Sequence, residues 1–319
     1  MFISKKGGSV IMKDFFDQLN SIVNPQRSDI IEKDYHLHRL LYHISQDEFL
    51  KNNLVFKGGT CLVKAYLGYY RFSEDLDFTW KHTRIWKGKS NSKTRKTCSK
   101  LADTIIQRFD IIAKKLGLDF TSDKSDPFFV EMGSGGRMIR LFLRYHSESL
   151  DVSSFIKIEI NFVDKTMFPF KHVSLQSLID AVENKKTAFL FPEEWREYKK
   201  HVSFDCYTPQ EIFTDKARAA MTRFSYKFRD IIDICKLEQK YGFTLFQYEE
   251  EIRKKTRFVL DLYKRYDNNI KSVNIPDFEL IPENERNLLL FTPNPGFFNK
   301  IKLVHDQLRD LQKDLVDSN

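Results

Sequence analysis

Two aspartates separated by one residue, Asp75 and Asp77, are the side chains in this sequence best suited to do chemistry. In an extended segment, residues two apart project from the same face. Both carboxylates would then point to one side while Leu76 and Phe78 turn into the core. Two carboxylates this close repel each other unless a cation lies between them, and hard oxygen ligands suit Mg²⁺. The pair therefore indicates a magnesium site; the alternative for an isolated Asp-x-Asp is a solvated acidic turn.

The segment Lys57–Thr60 precedes this pair and has the composition of a phosphate-binding turn. A short apolar strand, Leu54–Phe56, leads into Gly58 and Gly59, and Thr60 then stands at the start of a predicted helix. Glycine lets a ligand approach the backbone closely, and the first N–H groups of a helix are free to bind an anion. An ordinary tight turn from strand to helix is the other interpretation.

The order of these elements favours the chemical interpretation. A helix after the glycines would fold the strand of Asp75 and Asp77 back beside the first strand, so that the acids meet the phosphate turn. A third carboxylate is expected from a neighbouring strand. Phe155–Val163 alternates isoleucines with polar residues, which predicts one buried and one polar face. Glu159 lies on the polar face and is the predicted third acid, with an ordinary exposed strand residue as the alternative.

The remaining elements predict an α+β fold: a mixed sheet with flanking helices, followed by a helical C-terminal domain. Helical spacing of apolar residues covers 12–50 and 99–116, and Gly133–Gly136 separates two predicted strands. After about residue 205 the sequence turns helical, beginning with a predicted capping box from Thr208 to Glu211. We therefore place the transferase-type domain at 1–204 and the helical domain at 205–319.

Composition and charge favour a globular protein with a polyanionic partner. Of 319 residues, 41% are hydrophobic, and 52 basic against 44 acidic residues give a net charge of +8. A basic surface favours RNA, DNA or nucleotides. Residues 84–100 contain seven basic side chains and no acid, and this basic run is predicted to guide an RNA end. Its alternative is a solubilising loop. The basic residues of the run are Arg84, Lys87, Lys89, Lys93, Arg95, Lys96 and Lys100.

Several classes of protein are disfavoured. The four cysteines are far apart and form no CxxC, which argues against a disulfide framework and a zinc site. No stretch has the length and apolarity of a membrane span or a signal peptide core. We expect a cytoplasmic protein with no membrane partner.

The two central segments together resemble a known family. Phe56–Thr60 followed by Arg71–Asp77 is similar to the core of the AbiEii/AbiGii toxin family, nucleotidyltransferases of the polymerase-β-like superfamily that are related to MenT-type toxins. Shorter matches lie on both sides of this core. Upstream, Ile31–Tyr35 resembles the leading helix of the family. Downstream, Pro209–Ile212 together with Lys216–Ala219 resembles its lysine motif, and Arg229–Asp233 resembles its final aspartate motif.

The resemblance implies a toxin of a toxin–antitoxin or abortive-infection system that uses a nucleoside triphosphate. Asp75 and Asp77 would hold two Mg²⁺ ions, with Glu159 completing one site. The triphosphate would lie over Lys57–Thr60. The resemblance also implies Lys216 on the triphosphate and Asp230 in the catalytic cluster. The other nucleotide-binding residues expected are Arg71, Ser73 and Arg223, the last because it shares a helical face with Lys216.

The acceptor of the nucleotide is expected to be RNA, with tRNA as the leading candidate, and a cognate antitoxin is the other expected partner. Two alternatives stay open. One is nucleotidylation of a protein hydroxyl. The other is a non-catalytic module on a transferase fold that only binds RNA or a partner protein.

Overall fold

The computed structural model describes residues 5–23, 27–180, 182, 184–223, 227–272 and 281–317. The chain divides into two compact units. Unit 1 comprises Met1–Asp164 and Lys171–Cys206, and unit 2 comprises Lys165–Phe170 and Tyr207–Asn319. The sequence placed a boundary between residues 204 and 205. In the structure the last strand of unit 1 runs to Cys206, and the short segment Lys165–Phe170 belongs to unit 2.

Unit 1 is built on one seven-stranded mixed sheet, which confirms the predicted α+β class. The strand order is β3-β4-β5-β2-β1-β7-β6. Strand β2 pairs antiparallel with β1 and parallel with β5, and β1 pairs parallel with β7. The strands are β1 Leu54–Lys57, β2 Asp75–Trp80, β3 Val130–Gly133, β4 Met138–Ser147, β5 Val152–Asn161, β6 Lys171–Leu175 and β7 Val202–Cys206.

The alternation predicted for β5 divides the central sheet into two faces. Ile156, Ile158 and Ile160 are fully buried, whereas Lys157 and Glu159 lie on the opposite, partly exposed face. Successive side chains of a strand point to opposite faces, and residues paired across strands share a face. Everything paired with Glu159 therefore shares its face, which we call the polar face of the sheet.

Helices pack against the sheet of unit 1. The helices of this unit are α1 Lys5–Val23, α2 Ser28–Gln46, α3 Glu48–Asn53, α4 Gly58–Cys61, α5 Asn91–Leu116, α6 Lys185–Leu190 and α7 Pro192–Tyr198. Helix α4 continues into a π-helical stretch, Leu62–Leu67, and 3-10 turns occur at Thr83–Trp86 and Leu178–Asp180.

Two local expectations for unit 1 change in the structure. Thr60 was expected to stand at the helix start, but α4 already begins at Gly58 and places Thr60 inside the first turn. The basic run is mostly helical, because Ser90 caps α5 by accepting from the Lys93 N–H. The start of α5 is bonded to Arg137, whose guanidinium donates to Asn91 at 2.8 Å.

Unit 2 is helical in its described residues, as predicted for the C-terminal part of the chain. Its helices are α8 Pro209–Thr222, α9 Phe228–Tyr241, α10 Glu249–Leu262, α11 Lys264–Ser272, α12 Glu283–Arg286 and α13 Pro295–Asp317. The helix predicted to reach Phe224 ends at Thr222, and residues 224–226 lie outside the described part of the chain.

The predicted capping box at the start of α8 is wrong. Thr208 makes no capping hydrogen bond, and Glu211 is fully buried. Instead, Glu211 accepts from the backbone N–H groups of Met167 and Phe168 at 2.8 Å and pairs with Lys255. Because a buried carboxylate must be paired, Glu211 ties the segment Lys165–Phe170 to α8, which explains its place in unit 2.

Across the described residues, no helix combines the length and the apolarity that a membrane crossing requires.

Candidate active site

The three predicted acids lie on the polar face of the sheet. Asp77 stands opposite Glu159 in the parallel pairing of β2 with β5, and Asp75 stands opposite Lys157 one row further along. Lys57 of β1 stands opposite Asp77 on the other side. The register of three strands therefore brings together Asp75, Asp77 and Glu159 in unit 1, as the sequence predicted.

Close approaches of neighbouring side chains explain the two glycines. Gly58 has φ +79°, and a Cβ there would overlap the carboxylate of Asp77. A Cβ at Gly59 would overlap the guanidinium of Arg71 and stand 3.1 Å from Oγ of Ser73. The glycine turn is thus pressed directly against the second aspartate, and only residues without a side chain fit both positions.

Thr60 ties this turn to the strand that carries the acids. Its hydroxyl donates to the backbone carbonyl of Asp75 at 2.5 Å and lies 2.9 Å from the hydroxyl of Ser73. Arg71 is 1% exposed and donates to the carbonyl of Phe72 at 2.8 Å. These contacts position the strand against the glycines; phosphate binding by Arg71 and Ser73 stays a prediction.

The acids interact electrostatically. Burial, and then the negative charges of Glu159 and Asp75, raise the pKa of Asp77 to about 6, while Lys57 and Lys157 oppose the rise. The cause is the one expected for carboxylates crowded together away from water. A cation placed among them would relieve the repulsion, and their oxygens are the ligands that Mg²⁺ prefers.

Basic side chains are paired with the outer acids of this cluster. Nζ of Lys157 lies 2.9 Å from Oδ2 of Asp75, and Nε of Arg140 lies 3.0 Å from Oε2 of Glu159. In the part of the chain that the structure describes, no three His, Cys, Asp or Glu side chains are arranged to hold a metal as they stand. The donor chemistry fits Mg²⁺, and an ion held by Asp75 and Glu159 would compete with Lys157 and Arg140 for these carboxylates.

The sequence analysis did not assign Lys157 or Arg140 to the site. The signal for Lys157 was present, because it precedes Glu159 by two residues and so shares its face. Arg140 could not be found this way, because its contact depends on the pairing of β4 with β5. Lys57, predicted to bind nucleotide, pairs with Asp164 at 2.7 Å.

A second ionic cluster lies wholly within unit 2. Nζ of Lys216 on α8 lies 2.6 Å from Asp230 and 2.7 Å from Asp233, both on α9, and Arg223 also pairs with Asp230. Asp230 and Asp233 are buried. The structure thus joins the predicted residues Lys216, Arg223 and Asp230 and adds Asp233, which the sequence analysis missed although it lies three residues after Asp230 on the same helix face.

This cluster is held by charge. Burial alone would raise the pKa of Asp230, but the positive charges of Arg223 and Lys216 outweigh burial and hold the pKa below its ordinary value. Asp230 is therefore ionised and fixes two cations, the buried Lys216 and Arg223, beside it.

The comparison with family models agrees with the resemblance seen in the motifs. The family model described as nucleotidyl transferase AbiEii toxin, type IV toxin–antitoxin system, matches residues 39–307. Among solved structures, JHP933 from Helicobacter pylori is 17% identical, with a TM-score of 0.39, and the match covers 89% of this chain and 96% of that one. An H. pylori protein described as a nucleotidyltransferase is 16% identical, with a TM-score of 0.40 and coverage of 88% and 96%. No curated protein matches the sequence significantly.

The family match spans most of the chain. It includes the glycine turn, the acids on β2 and β5 and the ionic cluster of α8 and α9. The protein therefore belongs to the AbiEii family of nucleotidyltransferase toxins of type IV toxin–antitoxin systems.

Proposed function

We propose that this nucleotidyltransferase transfers a nucleotide from a nucleoside triphosphate to an RNA acceptor, with tRNA as the leading candidate, and that it depends on Mg²⁺. The observation that supports this proposal is the placing of Asp77 directly against Gly58, with Asp75 and Glu159 beside it on the polar face. Carboxylates and a phosphate-binding turn in contact are what a phosphoryl-transfer centre requires.

Asp75 and Asp77, with Glu159, would hold the metal. Bound there, Mg²⁺ would neutralise the triphosphate and stabilise charge on the attacking and leaving oxygens. Gly58 and Gly59 begin helix α4, and the free N–H groups of a helix start are donors for phosphate oxygens. Lys157, released from Asp75, becomes a cation available to the incoming phosphates.

The transfer is an in-line displacement. A hydroxyl oxygen of the acceptor attacks the α-phosphorus, the bond from that phosphorus to the oxygen bridging the β-phosphate breaks, and pyrophosphate leaves. The hydroxyl proton passes to the carboxylate of Asp77 or Glu159. Within unit 2, Asp230 and Asp233 hold Lys216 in position, and Lys216 with Arg223 supplies the kind of positive charge that phosphate groups bind.

The proposal is tested by incubating the purified protein with each α-labelled nucleoside triphosphate, Mg²⁺ and either total RNA or RNA-free cell lysate. Label in RNA that disappears with EDTA and with Asp77→Asn is the expected result. A protein that labels lysate proteins and no RNA would replace the RNA acceptor with a protein hydroxyl. A protein that labels neither but binds RNA would point to a non-catalytic module.

A further inference from the structure

Aromatic rings and cations share the polar face with the acids. In the pairing of β4 with β5, Phe142 stands opposite Lys157 and Arg144 stands opposite Phe155. Lys157 in turn pairs with Asp75. The polar face therefore continues without interruption from the acids to a surface that we call the aromatic–cation patch. The patch comprises Lys33, Phe128, Phe142, Arg144 and Phe155.

The rings of this patch are unusually open to solvent. Phe128 is 50% exposed and Phe155 is 39% exposed. Phe142 packs edge-on against Phe155, with 5.5 Å between ring centroids. Single exposed apolar side chains are normal on a protein surface, but several large rings gathered on one sheet face indicate a binding surface.

Cations lie over these rings. The guanidinium of Arg144 is 3.3 Å from the centroid of the Phe128 ring and 5.5 Å from that of Phe155. Arg144 is also held by two hydrogen bonds to the Phe128 carbonyl, at 3.2 and 3.3 Å. Lys33 of α2 lies 5.8 Å from the Phe155 centroid. The patch thus presents flat apolar faces and positive charge at the same place.

This combination matches an unpaired nucleic-acid strand. Bases stack on aromatic rings and on guanidinium planes, and cations bind the phosphates between them. A duplex hides its base faces, so the patch favours single-stranded segments and ends. Phe155 and Glu159 are four residues apart on β5, roughly 13 Å at the rise of a strand, which suits a few nucleotides.

The start of α5, which lies within the basic run, is bonded to the other face of the sheet. Arg137, which binds the start of α5, precedes Ile139 by two residues and so shares the apolar face with it. Arg140, Phe142 and Arg144 alternate with those positions and face the acids. A nucleic acid lying on the polar face would therefore contact the patch rather than the start of α5.

We propose that the aromatic–cation patch binds the unpaired end of the RNA acceptor and delivers its terminal hydroxyl to Asp75 and Asp77. This inference rests on the proposed function, since it names the surface that the acceptor occupies. Phe128 and Phe155 stack on bases near the end, Arg144 and Lys33 bind the adjoining phosphates, and the chain end passes Lys157 to reach the acids.

The test compares a double variant, Phe128→Ala with Phe155→Ala, with the control Phe189→Ala. Phe189 is 84% exposed on α6 of the same unit and lies outside the patch. Affinities are measured for a fluorescent single-stranded oligoribonucleotide, the matching duplex and a labelled nucleoside triphosphate. All variants are first checked by thermal unfolding, because exposed rings contribute little to the core.

The double variant should bind the single strand at least about tenfold more weakly than the control, because each stacked base contributes substantially to affinity. Its binding of the nucleoside triphosphate should be unchanged. Arg144→Gln should reduce the slope of log affinity against log salt by about one. Replacement of Lys93, Arg95 and Lys96 by Gln should have a smaller effect on the single strand than the double variant.

If the double variant binds the single strand as well as the control does, the proposal that the patch binds RNA is wrong, whether or not nucleotide transfer to RNA persists. Transfer to lysate proteins without binding of single-stranded RNA would also overturn it. Loss of binding in the double variant, in a protein that transfers no nucleotide, would support the patch and refute the proposed function. The two proposals therefore fail separately.

Discussion

Replacing Gly58 by alanine should lower the rate of nucleotide transfer much more than it lowers the stability of the fold, because it displaces the carboxylate of Asp77. Gly58 has φ +79°, where an alanine is strained, and its new Cβ would overlap the Asp77 carboxylate. Gly117→Ala is a matched control in unit 1: Gly117 ends α5 with φ +68°, and a Cβ there meets nothing within 4 Å. Both variants suffer backbone strain, but only Gly58→Ala displaces an acid.

The backbone strain should cost each variant about 1–2 kcal/mol of unfolding free energy. The displaced carboxylate adds a loss that the control lacks, because misplacing a catalytic group by about 1 Å lowers rates on the order of 10²-fold. Urea unfolding measures the first quantity, and transfer of label from an α-labelled nucleoside triphosphate measures the second. Equal transfer rates for Gly58→Ala and Gly117→Ala, at similar stability, would refute the argument that this close approach is needed.

Three further predictions follow from the two ionic sites and from a buried histidine. Asp75→Asn and Asp77→Asn should each abolish transfer while far-ultraviolet circular dichroism stays unchanged; full transfer by either folded variant would end the metal assignment. Lys216→Ala should relieve growth inhibition, and it should also lower the free energy of unfolding by about 3–5 kcal/mol, because the buried carboxylates of Asp230 and Asp233 both lose their ion pair with Lys216. Equal inhibition at matched protein levels would remove Lys216 from the mechanism. Burial, and then Lys64, lower the pKa of His38 to about 4, so its unfolded form gains a proton first as the pH falls. His38 should therefore contribute about 2 kcal/mol less stability at pH 5 than at pH 7.5, and His38→Gln should remove that part of the pH dependence in urea unfolding.

Local patterns predicted much of unit 1. The glycines, the alternation of β5 and the turn at Gly133–Gly136 are signals carried by residues close together in the chain, and the structure bears out the strands that they imply. Strands β6 and β7 were missed. β6 contains mainly polar or exposed residues, so it lacks the alternating apolar pattern that marks a half-buried strand.

The capping box at Thr208 shows how local signals fail. Thr208 and Glu211 have the spacing of a helix start, and α8 does begin there. The carboxylate of Glu211 nevertheless accepts hydrogen bonds from Met167, Phe168 and Lys255, which are 43 or more residues away in the chain. A buried carboxylate takes whichever strong donors the fold brings to it, and local spacing holds no information about them.

The sequence by itself predicted the family and the α+β class, and it placed Asp75 and Asp77 on one strand face and Glu159 on the polar face of β5, because residue type and strand periodicity carry that information. Only the tertiary structure decided what surrounds them. The pairing of β5 with β2 and with β4 places Lys157 on Asp75 and Arg140 on Glu159, and it carries Phe142, Phe155 and Arg144 onto the same face. These contacts depend on two strand registers. One joins β2 and β5, which lie about 80 residues apart in the chain, and the other joins β4 and β5, which form a hairpin. A shift of one residue would turn every side chain to the other face, so the register had to be observed.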